Sequence, residues 1–328
     1  MIRGLWSCHH DAAGAVRSQL SVDDIRAAIE SGSGTLWVDI DIRDPDAVRL
    51  LNDVFHFHPL AIEDALNPQS RVKIEEYTGF LILIVRTIAF AEHTEDPYDI
   101  ETVNLTCFLG KNYLVTAHGG HTLPLDQVRT TLEKKPELVS AGPSRLMHAV
   151  VDEAVNAYFP ILDQLDEFMD GLEEKVFASF DQSALREIFS VKRLVLSLRR
   201  HLAPERDVFS VLTNRPSTLL TTDTQVYFRD IYDHVLRIND SLETYRELLS
   251  NTLDSYLTQV SNRLGTVTKA LSVVATVSLP FVVVSGMWGM NFEHIPLSHT
   301  GHGFWTMLVL QLGLGGLLLG FLRWRKLL

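Results

Sequence analysis

The sequence predicts an α+β membrane protein: an N-terminal α/β sandwich, then very long helices, then two C-terminal transmembrane helices. Three observations predict it. The first is a split in charge. The 328 residues carry a formal net charge of −12, yet 270–328 hold one acid, Glu293, and three bases, Arg323, Arg325 and Lys326. An acidic, water-exposed body therefore precedes an almost uncharged tail. The second is a pair of uncharged apolar runs in that tail, 270–288 and 303–322. As helices these are about 28–30 Å long, the thickness of a hydrocarbon core. The third is an apolar stripe at helical spacing that enters the first run without a Gly-Pro break.

The body opens with mixed elements over 1–142. Runs 36–40 and 80–90 read as strands, and 103–109 and 112–118 as a hairpin turning at Gly110-Lys111. Helical patterns lie at 22–30, 45–55, 59–66 and 125–134, which suggests an α/β sandwich on a mixed sheet. From Pro143 the chain reads as helix throughout. One helix is expected over 144–177, a second over 182–213 with a disturbance at Pro204, and a third from Thr222. The third carries Ile231, Val235, Ile238, Leu242, Tyr245, Leu249, Leu253, Tyr256, Val260, Leu264, Val267 and Leu271. Their mean spacing is about 3.64 residues, the period of a straight helix rather than the 3.5 of a supercoil. One continuous helix over 222–288, about 100 Å long, follows. It is too long for a monomer to bury, so 143–269 forms a stalk or funnel that needs neighbours.

Lys and Arg place the tail. The loop 289–302 has neither, whereas Arg263 and Lys269 precede the first span and Arg323, Arg325 and Lys326 follow the second. The positive-inside rule puts both termini, including the basic tail 323–328, in the cytoplasm and the loop outside. No apolar run follows Met1, so no cleavable signal peptide is expected. Two cysteines, Cys8 and Cys107, exclude a disulfide scaffold, and the acidic balance argues against nucleic acid.

Chemistry concentrates in the first span, 270–288. Gly265, Thr268, Ser272 and Ala275, with Leu279 and Val282 beyond, share one helix face. Small and hydroxyl side chains there suit a water-lined path, and equally suit close helix packing. Pro280 has no N–H and frees the Thr276 carbonyl, which should bend the helix. Two spans cannot enclose a pore, so a channel requires several copies around an axis. At the outer end stands Gly289-Met290-Asn291. Repeated around an axis, Asn291 becomes a ring of neutral amide oxygens. Such a ring can bind the hydration shell of Mg2+, an ion that gives up water reluctantly. Glu293 just beyond would concentrate cations at the mouth.

The string 285–296, SGMWGMNFEHIP, resembles the signature of the CorA family of magnesium channels, as do 55–77, 227–249 and 253–262. The resemblance implies a homopentamer, a funnel of long helices and gating by intracellular Mg2+. It makes Gly289, Met290 and Asn291 the selectivity filter, with Glu293 and His294 at the outer mouth. Leu271 and Leu279 become apolar constrictions of a path lined by Thr268, Ser272, Ala275 and Val282. Asp64 and Asp254 match acids that share a regulatory Mg2+ across a subunit interface, and Glu63, Asp230 and Asp152 match a second such site. Co2+ and Ni2+ are further cargo. Thr268 and Gly265 depart from the family's bulky apolar and Asn pore residues, and Leu297 replaces an acid. His294, His299 and His302 crowd the loop, and imidazole suits Zn2+ better than Mg2+. A ZntB-like Zn2+ transporter, proton-coupled or not, is therefore the alternative, and a membrane-anchored scaffold the distant one. Cys8-His9-His10, His56-x-His58 and His118-x-x-His121 complete no tetrahedral metal set. The acidic stripe Asp163, Asp166, Glu167, Asp170, Glu173 and Glu174 reads as a solvated helix face. Gly313, Gly316 and Gly320 suggest close packing of the second span. No P-loop, nucleophile elbow or His-Glu-x-x-His motif marks an enzyme.

Overall fold

A computed structural model describes residues 2, 4–91, 93–120, 122–135, 137–178, 182–215, 217–290, 296 and 300–325. The chain divides into two compact units, Met1–Thr252 and Leu253–Leu328.

The first unit holds strands β1 (Leu5–His10), β2 (Val16–Ser18), β3 (Thr35–Asp41), β4 (Lys73–Tyr77), β5 (Phe80–Phe90), β6 (Ile100–Gly110) and β7 (Tyr113–His118). They form one sheet in the order β2-β1-β3-β7-β6-β5-β4. Among these pairs only β3 and β7 run parallel, with Leu36 opposite Tyr113 and Ile40 opposite Ala117. The β6–β7 hairpin turns where the sequence places it. Gly110 is required there, because a Cβ would stand 2.2 Å from the Tyr113 ring.

Helices cover both faces. On one lie α1 (Val22–Ser31), α2 (Pro45–Asp53) and α3 (Pro59–Leu66). Period-2 alternation along β3 sends Leu36, Val38 and Ile40 into that layer, against Ile25, Leu51 and Phe57. The other face carries α4 (Leu123–Lys134), α5 (Glu137–Ser140) and α6 (Pro143–Asn156). Trp37 and Asp39 belong to this second face. The Trp37 indole donates to Thr116 Oγ1 at 3.0 Å, and Asp39 takes bonds from Thr116, His118 and Arg129.

The remaining helices are α7 (Phe159–Ala178), α8 (Gln182–Asn214), α9 (Thr222–Trp288) and α10 (Gly303–Trp324). The single helix expected over 144–177 is two, α6 and α7. Pro160 explains the break. It is the second residue of α7, a first-turn place where no N–H partner is needed, so a new helix starts there. Tyr158 fills the corner, its backbone N–H bonding Val155 O at 3.1 Å and its hydroxyl reaching Arg86 O at 3.3 Å. Conversely, α8 runs through Pro204 without interruption. On α9 the apolar stripe is buried from Ile231 to Leu249. Tyr245 there donates its hydroxyl to Asp166 of α7 at 2.7 Å. Further along, Leu264, Val267 and Leu271 are exposed.

Glu205, beside Pro204, is 1% exposed. Its Oε1 accepts the Arg86 backbone N–H at 2.8 Å, while Oε2 has no hydrogen-bond partner among the described residues. Burial pushes this carboxyl up to about 8. An acid whose folded value lies above its unfolded one holds its proton better when folded. Its contribution to stability therefore falls as pH rises from the ordinary carboxylate range toward 8. Glu205→Gln removes that dependence. The variant's melting temperature should fall less than the parent's between pH 5 and 8, read by thermal unfolding in detergent. Parallel curves would refute this.

Candidate functional site

Among the described residues, the second unit contains two helical segments long and apolar enough to cross a membrane, the C-terminal part of α9 and α10. Their contact selects one face of each. On α9, Val273, Val277, Pro280, Phe281, Val284 and Trp288 are half-buried. On α10, Gly303, Gln311 and Gly315 are buried. Gly315 lets the Phe281 ring approach, since a Cβ there would lie 2.8 Å from Phe281 Cζ. Gln311 Nε2 donates to Ser285 Oγ at 2.8 Å and to the Phe281 carbonyl at 3.3 Å.

Gly313, Gly316 and Gly320, expected at this contact, have open space where a Cβ would project. The helix is rotated so that Gly315 and Gln311, one turn apart, face α9 instead. The sequence carries a signal for this: Gln311 is the lone amide in a 20-residue apolar run, and an amide in lipid needs a partner.

The predicted path-lining residues lie elsewhere on α9. Thr268, Ser272, Ala275, Leu279 and Val282 are all exposed, Leu279 by 63% and Val282 by 67%. At 3.6 residues per turn they lie about half a turn from the face that α10 covers. Leu271 flanks this stripe and is also exposed. No acidic or basic side chain falls on it.

At its end α9 closes on Gly289, whose N–H bonds Ser285 O at 2.9 Å, and on Met290, whose N–H reaches Met287 O at 3.4 Å. The helix thus tightens into its last turn immediately before Asn291. Asn291, Glu293 and His294 lie outside the described residues.

The predicted cation-sensing acids occupy three places. Asp64 sits near the end of α3, a helix started by His58, whose Nδ1 accepts the Leu60 N–H at 3.2 Å. Its Oδ2 lies 2.7 Å from Lys73 Nζ, which also bonds Glu75 Oε1 at 2.9 Å. Burial alone would pull the Lys73 ammonium down, but its bonds to Asp64 and Glu75 outweigh that and hold it above its usual range. Lys73 is not legible in the sequence as a partner, because its approach depends on how β4 leaves α3. Glu63 is exposed on α3. Asp254, in the second unit, is also exposed, and its backbone carbonyl accepts the Thr258 hydroxyl at 2.8 Å.

Asp152 of α6 and Asp230 of α9 belong to one electrostatic cluster. Burial pushes the Asp152 carboxyl up, His234 opposes this, and the negative charge of Asp230 adds to it. His234 Nε2 stands 4.0 Å from Asp230 Oδ2. His234 is the member that the sequence pattern does not single out; it lies one turn beyond Asp230. No group of three His, Cys, Asp or Glu spaced to hold a metal occurs among the described residues of this single chain.

Comparison with known proteins gives a consistent result. The family described as CorA-like Mg2+ transporter protein matches residues 32–324. The cobalt/magnesium transport protein CorA of Thermotoga maritima is 30% identical over 262 residues, covering 79% of this chain and 74% of its own. The complete structure of the CorA magnesium transporter from Methanocaldococcus jannaschii matches with a TM-score of 0.84 at 21% identity, over 98% of each chain. The ZntB cytoplasmic domain from Vibrio parahaemolyticus matches with a TM-score of 0.60 at 17% identity, over 70% of this chain and 88% of that one. At such identities the two structural matches speak to fold alone.

Proposed function

The chain belongs to the CorA family of divalent-cation transporters, not to an enzyme family, and from that membership we propose a homopentameric channel that admits Mg2+ into the cell. Co2+ and Ni2+ are secondary cargo. One observation carries the reading: the uncharged stripe Thr268, Ser272, Ala275, Leu279 and Val282 is exposed on the side of α9 away from α10. Five copies turned inward give five such stripes around an axis, while the exposed face of α10, with Phe304, Val309 and Leu317, meets lipid. Leu271 and Leu279 then form apolar constrictions that close by dewetting. Above them Gly289, Met290 and Asn291 form the filter. A ring of amide oxygens holds hydrated Mg2+ loosely enough to release it, and the membrane potential drives entry. Glu293 and His294 stand at its outer mouth.

Closure comes from the body. Asp64 of one subunit and Asp254 of the next share a Mg2+ when the cytoplasmic concentration is high, and Glu63, Asp230 and Asp152 serve a second ion. Opposed carboxylates repel without the cation and are bridged with it. Falling Mg2+ removes the bridge and lets the subunits shift toward the open state. Both termini lie in the cytoplasm, and the membrane is the inner or plasma membrane.

The test is flux into liposomes holding the purified protein, comparing Mg2+ and Zn2+ with and without a pH gradient. Mg2+ entry that follows voltage and ignores the pH gradient is expected. Zn2+ entry that follows the pH gradient, with little Mg2+, would replace this reading with a zinc transporter and direct attention to His294, His299 and His302.

A further inference from the structure

We propose that Gln311 of α10 is a positioning residue for the ion filter, acting through Ser285 on the Gly289-Met290-Asn291 segment. The inference rests on the filter reading above and adds a residue from the other helix.

The need arises at Pro280. A proline inside a helix removes one ladder hydrogen bond and crowds the carbonyl a turn earlier. The last turns of α9, from Phe281 to Trp288, are therefore joined to the rest of the helix by a weakened ladder. Ser285 adds a second weakness. A serine inside a helix can turn its hydroxyl back on the carbonyl four residues earlier, which bends the helix. Here that carbonyl is Phe281 O.

Gln311 meets both groups. Its Nε2 donates to Ser285 Oγ at 2.8 Å and to Phe281 O at 3.3 Å, so one amide engages the hydroxyl and the carbonyl together. The side chain is only 5% exposed, and its neighbour one turn on, Gly315, admits the Phe281 ring against α10. The Ser285 backbone carbonyl in turn accepts the Gly289 N–H at 2.9 Å. A continuous line of contacts thus runs from Gln311 through Ser285 to the first residue of the filter motif. The alternative for Gln311, an unpaired amide in hydrocarbon, is costly, so the bond is kept once the helices meet.

A filter of loosely aimed amides still passes cations but discriminates less. The Mg2+/Ca2+ flux ratio is therefore the quantity that Gln311 controls. Gln311→Met keeps length and removes the donor; Ser285→Ala removes the acceptor with minimal change in volume. The full-length variants are purified, reconstituted in liposomes and assayed for Mg2+ and Ca2+ entry, with thermal unfolding measured in parallel. Each single variant should lower the Mg2+/Ca2+ ratio about threefold to tenfold, the value of one interhelical hydrogen bond in a membrane. The double variant should fall no further than the lower single, because the two share one bond.

An unchanged ratio in both single variants overturns the inference, and so does a lower melting temperature with the ratio intact. Asn291→Ala, assayed alongside, separates the causes. If it abolishes Mg2+ entry while the ratio in the other variants is unchanged, Gln311 alone is misassigned. If it leaves entry intact, the filter reading fails too.

Discussion

Asn291→Ala should yield folded, assembled protein whose Mg2+ flux is at least about tenfold below the parent's. Its amide is the one side chain of the Gly289-Met290-Asn291 segment that offers an oxygen to a cation. In the proposed filter, removing it leaves that segment with no side-chain oxygen to exchange for contacts to the hydration shell. Folding should be spared. The helix end is set lower down, by Gly289 on Ser285 O and by Gln311 on Ser285 Oγ, and none of these bonds involves residue 291. Size-exclusion chromatography checks assembly, and uptake into liposomes checks transport. Asn291→Asp sharpens the test. A carboxylate ring binds Mg2+ more tightly and releases it more slowly, so flux should fall although the ion is held better. Full Mg2+ uptake by the alanine variant would remove Asn291 from the filter.

The parts of this molecule that obey a single periodicity are legible in the amino-acid sequence. α9 runs unbroken from Thr222 to Trp288 through the whole stripe and the apolar run, because a 3.6-residue period leaves little choice over so long a segment. Strands β5 and β7 are legible for a related reason: each carries an apolar or β-branched core, Phe80–Val85 in β5 and Leu114–Ala117 in β7. Three strands escape such a reading: β1, which lies inside the sheet but buries Ser7, Cys8 and His9 with no apolar alternation, and the edge strands β2 and β4. β2 is three exposed residues and β4 reads Lys-Ile-Glu-Glu-Tyr, so neither shows a buried pattern. Pro160 is visible in the sequence but its position in a first turn is not, since that depends on Tyr158 turning inward beneath Arg86.

The site shows the same division. Which face of α9 is left exposed follows from α10, and α10 is oriented by Gln311 and Gly315 rather than by the three glycines at helical spacing. That choice is a tertiary matter: a hydrogen bond from one amide outweighs a stripe of small residues. The pairings of charge are still less accessible. Asp64 with Lys73, and Asp152 with His234 and Asp230, join residues from different elements. Propensity and spacing say nothing about such meetings.

Asp254→Ala and Lys73→Gln should shift closure by cytoplasmic Mg2+ in opposite directions. Losing Asp254 removes one of two carboxylates from the proposed shared site. The remaining Asp64 cannot bridge subunits, so closure should require at least about tenfold more Mg2+ or fail altogether. In the proposed site Lys73 opposes the ion. Its ammonium lies 2.7 Å from Asp64 Oδ2 in a partly buried pair, the two side chains 27% and 29% exposed. A divalent cation arriving at Asp64 must displace that ammonium or tolerate its positive charge at close range, where screening is weaker than in water. Lys73→Gln removes the competitor and keeps a hydrogen-bond donor, so closure should occur at about threefold to tenfold lower Mg2+. Both variants are read from flux into liposomes loaded with graded internal Mg2+. A midpoint unmoved by Asp254→Ala would count against the interfacial sensor. A midpoint that rises in Lys73→Gln would mean that the lysine supports the closed state rather than holding the site in reserve. The opposite signs matter because general loss of stability would move both midpoints the same way, whereas competition for one carboxylate cannot.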